Sequence, residues 1–466
     1  MAPFLRIAIT AFVLGFGLPL CGDEDVTTVK LDTARPGRMI PQGFLGFSRE
    51  WRHFVTPDEG PDAAVHPAYL RLIEQLSRFN KQGVCFRIGG NSADGMGVSP
   101  EPARWQQLRV IYQATRMPLI INLNLAREDV ELDKAMILDA QRFLPPEAIL
   151  SFELGNEPDG WAGRYRPKDY TFPQYLPVFG KVGSQLVPGL VHGLAGPAYA
   201  HGAPAGPLQE FLAAETGLIN LVTVHSYRFD PKSKPAVERL LDERDTAGFA
   251  QKMADGIQIA HDARLKIRLT ETDSAWGGGI PGFSDSFGAS LWTLDVLFEM
   301  ARVGLDGIHF HGGGLASYTP IREDLDKTTK KAIISARAPY YGMWLFAEAA
   351  ANEAKLLPVE VQGNARTKVW ATLDNEGTTR LVLINKDTAS SRSFALQVQA
   401  TSAAVKRLSA ESLAATEGIE FNGQTFSGSV DGNPIGQAQN ERIAAVHGSL
   451  SVQLAPISAA LVTLVK

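Results

Sequence analysis

The chain has 466 residues, 45% of them hydrophobic, and sets 45 Lys and Arg against 50 Asp and Glu for a formal charge of -5. That length accommodates about two to three domains with a sizeable core, while the mixed 20% charged content, 44 Gly and two Cys exclude a disordered chain, a collagen and a disulfide scaffold. There is no net basic field, so nucleic acid is not an expected partner and any polyanion must be held by a local patch.

Residues 1–22 read as a signal peptide. Met1-Ala-Pro-Phe-Leu-Arg6 is a short basic start, Ile7 to Leu20 carries no charge, and Cys21-Gly-Asp-Glu-Asp25 is a polar flank. The apolar run is too short to span a bilayer comfortably, so the expectation is an exported protein, secreted or periplasmic, with no transmembrane domain. Cys85 lies in an apolar run, which points to core packing rather than to a disulfide or a nucleophile. Residues 23–40 hold Val26-Thr-Thr-Val-Lys-Leu31 ahead of Pro36-Gly37, a strand expected to complete a sandwich built from the far end of the chain.

Over residues 41–345 short apolar runs alternate with longer helical patterns. The runs are Gly43–Ser48, Gly83–Ile88, Leu119–Asn124, Ala148–Leu154, Leu190–Ala195, Ile219–Val224, Leu265–Thr270 and Gly307–Phe310. Eight candidate strands in βα alternation predict a (β/α)8 TIM barrel. Between them, segments such as Pro67–Leu76 and Ser290–Ala301 place apolar residues on one helix face. From residue 346 to 466 the rhythm becomes strand-like alternation with turn signals, as in Lys368–Leu373, Arg380–Asn385, Phe394–Val398 and Ala459–Val465. This predicts a C-terminal antiparallel β-sandwich domain, giving an α/β fold overall.

Chemistry in such a barrel sits at the C-terminal ends of the strands. The fourth run leads into Asn156-Glu157-Pro158 and the seventh into Glu271-Thr-Asp273. Two carboxylates from opposite parts of one rim are what glycoside hydrolysis needs, one to protonate the leaving oxygen and one to attack the sugar carbon. Glu157 is assigned as acid/base and Glu271 as nucleophile. His225 and Tyr227 are two residues apart after the sixth run, so both point toward the barrel mouth, where the Tyr227 hydroxyl can bond the nucleophile. His309 and His311 alternate on the eighth run, but with no third ligand at a recognised spacing they read as packing or hydrogen-bonding residues, and no metal is expected. Arg49, Arg52 and His53 after the first run, and Arg228, Lys232 and Lys234 after the sixth, are candidate sulfate contacts, since such cations make charge-assisted bonds to anions.

Asn156-Glu157-Pro158 at a fourth strand end resembles the superfamily of retaining glycosidases built on this barrel, which implies that Asn156 binds the sugar 2-hydroxyl. Glu271-Thr-Asp-Ser-Ala-Trp276-Gly277-Gly278-Gly279 resembles more narrowly the nucleophile motif of the heparanase and β-glucuronidase family. Phe47-Ser-Arg-Glu50, Phe86-Arg-Ile-Gly-Gly-Asn91-Ser92 and Val224-His-Ser-Tyr227 agree with it, and the likeness covers nearly all of the chain after the signal segment. It implies substrate contacts from Glu50, Asn91, His225 and Tyr227, and a C6 carboxylate of glucuronic acid held by Gly277, Gly278, Trp276 and Tyr318. Successive glycines can turn their N–H groups toward one anion without Cβ obstruction. Trp276 departs from the Tyr common in the family and can donate only through its indole N–H.

The expected function is therefore retaining hydrolysis of β-linked glucuronic acid in a glycosaminoglycan-type oligo- or polysaccharide, without a cofactor, by a monomer. Endo action on heparan sulfate is favoured over exo β-glucuronidase action because Gly90–Trp105 is short for a loop that must wall off a cleft. An inactive carbohydrate-binding protein would lack one of the two carboxylates, and a uronate lyase would need a base beside C5 rather than an opposed pair.

Overall fold

The computed structural model describes residues 26–53, 65–329 and 331–465. The expected signal peptide, with Cys21, and the side chain of His53 lie outside what it describes. Among the described residues no helix is long and apolar enough to cross a membrane.

After β1 (Val26–Leu31), eight parallel strands close into a barrel: β2 (Leu45–Glu50), β3 (Cys85–Gly89), β4 (Leu119–Leu123), β5 (Ile149–Leu154), β6 (Leu194–Tyr199), β7 (Ile219–Phe229), β8 (Lys266–Ala275) and β9 (Gly307–Gly312). Most of their residues are buried on both faces, between the barrel interior and the helices outside, which is why these strands read as continuous apolar runs in the sequence. Cys85 is fully buried in this wall, and burial pushes its thiol up. The helix Phe287–Val303 is buried all round from Phe287 to Ala301, because it is enclosed by the barrel, by the helix Ala338–Ala349 and by the C-terminal domain. It ends at Gly304, where φ is +98°, a conformation that favours glycine.

The C-terminal domain pairs two sheets over its own core of Val29, Leu381, Leu383, Phe394, Leu396, Val405, Leu450 and Val452. β1 lies in the smaller sheet, parallel to Arg392–Gln397 and antiparallel to Val359–Gln362, so the chain's start and end share one core. The domain is fastened to the barrel by Asp295 of the long buried helix, which accepts from Trp370 Nε1 at 3.0 Å and pairs with Lys386 Nζ at 2.6 Å. The linking helix Ala338–Ala349 runs through the expected boundary at residue 345, since its apolar face continues to Ala349.

Three local features differ from the sequence reading. β6 begins four residues later than the fifth predicted run. β7 and β8 each run five residues further than their apolar cores, to Phe229 and Ala275, because ladder pairing continues through His225–Phe229 and Glu271–Ala275 although most of these side chains are polar. After β9 the chain forms a hairpin, β10 (Ile321–Leu325) and β11 (Ala332–Ala336), that the alternation did not announce.

Candidate active site

Glu157 leaves β5 on a tight turn. Its own backbone is left-handed, φ 48° and ψ 54°, a conformation costing about 1–3 kcal/mol in a non-glycine residue. The turn is clamped: Glu157 N donates to Ala198 O at 3.0 Å, Gly160 N to Glu157 O at 2.8 Å, and Trp161 Nε1 to Asn156 O at 2.7 Å. Pro158 then starts a short 3-10 turn, so the Glu157 carboxyl is left facing the barrel mouth at the rim of a cleft of about 800 Å³.

Glu271 is presented by a β-bulge. Val224 of β7 lies opposite Leu269 of β8, but the next residue, His225, lies opposite Glu271, so Thr270 is the extra residue. The bulge lets two successive side chains face inward. Thr270 Oγ1 donates to Glu153 Oε1 at 2.9 Å deep in the barrel, and Glu271 turns into the cleft just above it. Tyr227 Oη donates to Glu271 Oε1 at 2.6 Å, and His225 Nδ1 lies 3.1 Å from Glu157 Oε1 and 3.9 Å from Glu271 Oε2. Oxygens of Glu157 and Glu271 approach within 4.8 Å. An inverting pair, which must admit a water, stands roughly 6.5–9.5 Å apart, and a retaining pair roughly 5–5.5 Å.

Beneath the carboxylates lies Arg87, fully buried on β3. It donates to Glu153 Oε2 at 2.8 Å, Glu271 Oε2 at 2.8 Å and Asn156 Oδ1 at 2.9 Å. Burial alone would raise the Glu271 carboxyl, but the His311 and His225 imidazoles, Arg87 and the Tyr227 hydroxyl together lower it to about 2. Of these, His311 is itself held below its usual range by burial, so at neutral pH Arg87 is the fixed charge. His225 is pulled down by burial and by Arg87, but the Glu271 and Glu157 carboxylates outweigh both and hold it above its usual value. Burial raises Tyr227 and Tyr318 well above the ordinary phenol range, so both hydroxyls remain donors. The grouping of Glu157, His225 and Glu271 has the compactness of a metal site, but the Arg87 guanidinium already supplies positive charge there.

Of the residues singled out in the sequence, Glu50, Asn91, Glu157, Tyr227, Arg228, Glu271, Trp276, Gly277, Gly278 and Tyr318 line one cleft. Glu50 accepts from Ser92 N at 2.6 Å, and Asn91 Oδ1 accepts from Arg164 Nη1 at 2.8 Å. Gly277 and Gly278 have φ of 69° and 97°, and a Cβ at either would meet nothing within 4 Å. Tyr318 stacks on Tyr227 with ring centroids 6.1 Å apart. Asn156 and His225 are buried beneath the cleft floor, with the Asn156 oxygen engaged by Arg87.

The candidate sulfate contacts fare differently. Arg49 is not at the cleft: it is 3% exposed, paired with Glu323 of the β10 hairpin and set over the Tyr69 ring, because the hairpin folds back on the barrel rim and buries it. Arg228 lines the cleft but is paired with Asp245. Lys232 is exposed and outside the cleft lining. His309 accepts from Arg268 Nε at 2.9 Å inside the barrel, and His311 Nδ1 lies 3.1 Å from Ser48 Oγ.

Sequence reasoning missed Arg87, Glu153 and Arg164. The first two carried a signal: each is a lone charge inside an otherwise apolar parallel strand, a position that is affordable only with a partner across the barrel. Arg164 sits in an irregular segment without such a signal.

Residues 369–461 match the glycosyl hydrolase family 79 C-terminal beta domain. A β-glucuronidase of Aspergillus niger is 25% identical over 394 residues, spanning 73% of this chain and 71% of the relative. A heparanase of Bos taurus is 31% identical over 172 residues, 34% of this chain and 30% of the relative. Among solved structures, a 4-O-α-L-rhamnosyl-β-D-glucuronidase from Fusarium oxysporum superimposes with a TM-score of 0.79 at 20% identity, covering 94% of this chain and all of that one. At that identity the likeness establishes the shared fold.

Proposed function

The chain is a glycoside hydrolase of the heparanase and β-glucuronidase-like family, and from that premise we infer that it cleaves β-linked glucuronic acid inside a glycosaminoglycan-type chain, heparan sulfate above all, with retention. The observation that carries this reading is the placement of two carboxylates within 4.8 Å beside a pocket wall made of Gly277, Gly278 and Tyr318. Glu271, kept ionised, attacks the anomeric carbon while Glu157 protonates the departing oxygen. Glu157 then takes a proton from water, which releases the sugar from Glu271. Arg87 and Tyr227 hold the nucleophile's two oxygens, so its attacking orientation is set before substrate arrives. The Gly277 and Gly278 amides and the Tyr318 hydroxyl are neutral donors, and they suit the C6 carboxylate of a uronate better than a neutral hydroxymethyl.

Endo action is supported by the cleft's size, at the upper end of the roughly 300–1,000 Å³ that pockets for drug-sized ligands occupy and more than one sugar fills. In this reading the protein works as a monomer and is exported by its charge-free segment from Ile7 to Leu20. The test is product sizing on a defined heparan sulfate chain beside release from an aryl β-glucuronide. Internal fragments support the endo reading; glucuronic acid alone, released from chain ends and from the aryl glycoside, replaces it with exo action; no turnover of either overturns the glucuronidase reading.

A further inference from the structure

Trp276 is the residue whose state the reaction above leaves unexplained. It is 44% exposed, and it is the one exposed aromatic residue among the described residues; every other described Phe, Tyr and Trp is buried or half-buried. Leaving an indole in water forfeits a large apolar burial, since an aromatic side chain has 150–250 Å² to cover. The single exposed ring stands on the wall of the cleft that holds Glu157 and Glu271.

The ring is partly exposed but not loose in its attachment. Trp276 directly follows β8, its N–H donates to Phe229 O at 3.4 Å, and its carbonyl accepts from Gly279 N at 3.4 Å. Among the described residues no other ring and no cation covers either face, and none of them offers the indole N–H an acceptor. Beside it, Gly277 and Gly278 leave open space where side chains would stand, so a ligand seated on Glu271 can extend along them to the indole. A pyranose has one face of axial C–H groups and a rim of hydroxyls. That is the shape that covers an exposed indole while its polar edge stays wet.

We propose that Trp276 is a stacking platform for a second sugar ring, joined to the glucuronic acid that occupies the catalytic subsite, so that the preferred substrate is an oligosaccharide rather than a simple glucuronide. This rests on the glucuronidase reading above. The second ring can be attached on the reducing side of the glucuronate or on its O4; the chemistry seen by the indole is the same, and the substrates below separate the two.

The experiment compares kcat/KM of wild type, Trp276→Ala and Trp276→Phe on three substrates: methyl β-glucuronide, a disaccharide with a sugar on the reducing side of glucuronate, and methyl β-glucuronide carrying a sugar on O4. The platform predicts that Ala lowers the ratio of one extended substrate to methyl β-glucuronide by about tenfold, and that Phe, which keeps a ring but no N–H, retains most of that ratio. The extended substrate whose ratio falls identifies the side on which the second sugar sits. Ratios unchanged by Ala for both extended substrates overturn the proposal. So does an equal loss on all three substrates in both variants, which would make the indole N–H a contact to the glucuronate itself. Wild type inactive on every glucuronide sinks the glucuronidase reading instead, an outcome the variants do not mimic.

Discussion

Arg87 Nη1 reaches 2.8 Å from Glu271 Oε2 across the barrel interior, and it does so while also holding Glu153 and Asn156. One buried cation thus fixes Glu271, the proposed nucleophile, and Asn156, which precedes the proposed acid/base Glu157. Replacing Arg87 by Met removes the fixed charge and takes the guanidinium away from two buried carboxylates, Glu153 and Glu271. Glu271 lies near 2 in the folded protein, so the stability its ionisation brings is complete above the unfolded value of about 4.3 and is lost as pH falls toward 2. Without Arg87, burial acts on the carboxyl with less opposition, and the acid limb of the kcat/KM profile is expected to move upward by roughly 1–3 pH units. The melting temperature should fall as well, since breaking a buried ion pair costs about 3–5 kcal/mol. Arg87→Lys restores charge but not the forked geometry, and should return the pH limb in part. An acid limb that stays in place in a folded Met variant refutes the role.

The two carboxylates should separate by leaving group. Glu271→Gln abolishes turnover whatever departs, whereas Glu157→Gln retains measurable glycosylation of the enzyme when the leaving group is already acidic and needs little proton donation. Burst kinetics across aryl glucuronides of graded acidity measure this. Equal losses along the series in both variants would overturn the assignment.

The barrel was legible because both faces of a parallel strand are buried, so Leu119–Leu123 or Ile149–Leu154 stands out as a run. Glu157 and Glu271 were legible because they follow such runs with Asn156 and Pro158, or with a glycine series, attached. What sequence could not show were pairings across distance. Nothing near Arg87 names Glu271, which is 184 residues away, and nothing near Arg49 announces Glu323 on a hairpin that folds back over it. Arg49 therefore looked like a free rim cation and is in fact a buried one. The bulge at Thr270 was equally hidden, because it exists only as a register between two strands.

Asp94 offers a check on the buried electrostatics next to the site. It is 2% exposed on the short helix after β3, and burial raises its carboxyl to about 8 although Arg164 and Arg87 oppose the rise. The folded state then keeps a proton that the unfolded chain releases near 3.9, so stability falls as pH rises between about 4 and about 8, by up to about 1.4 kcal/mol per pH unit. Asp94→Asn cannot ionise. Its stability relative to wild type should therefore climb with pH through that window and level off above it, as urea denaturation at a series of pH values would record. A pH-independent difference would mean that Asp94 is ionised in the native protein.

Uronate selection tests the glycine and tyrosine wall. If the Gly277 and Gly278 amides and the Tyr318 hydroxyl receive the C6 carboxylate, the matching neutral glucoside forfeits charge-assisted hydrogen bonds of about 1.5–3 kcal/mol each. One or two such bonds correspond to a preference of about ten- to ten-thousand-fold in kcat/KM for glucuronide over glucoside. Tyr318→Phe keeps the ring that stacks on Tyr227 and removes only the hydroxyl. It should lower the glucuronide rate and narrow the preference, with a much smaller effect on the slow glucoside reaction. Gly279 enters the same argument from the backbone side, since a Cβ there would stand 2.8 Å from Tyr318 N. Gly279→Ala should therefore shift the tyrosine and cost glucuronide selectivity without touching a donor. Should wild type cleave aryl β-glucoside as readily as aryl β-glucuronide, or should Tyr318→Phe lower both rates equally, the wall does not read the carboxylate, and the glycine series is only a turn.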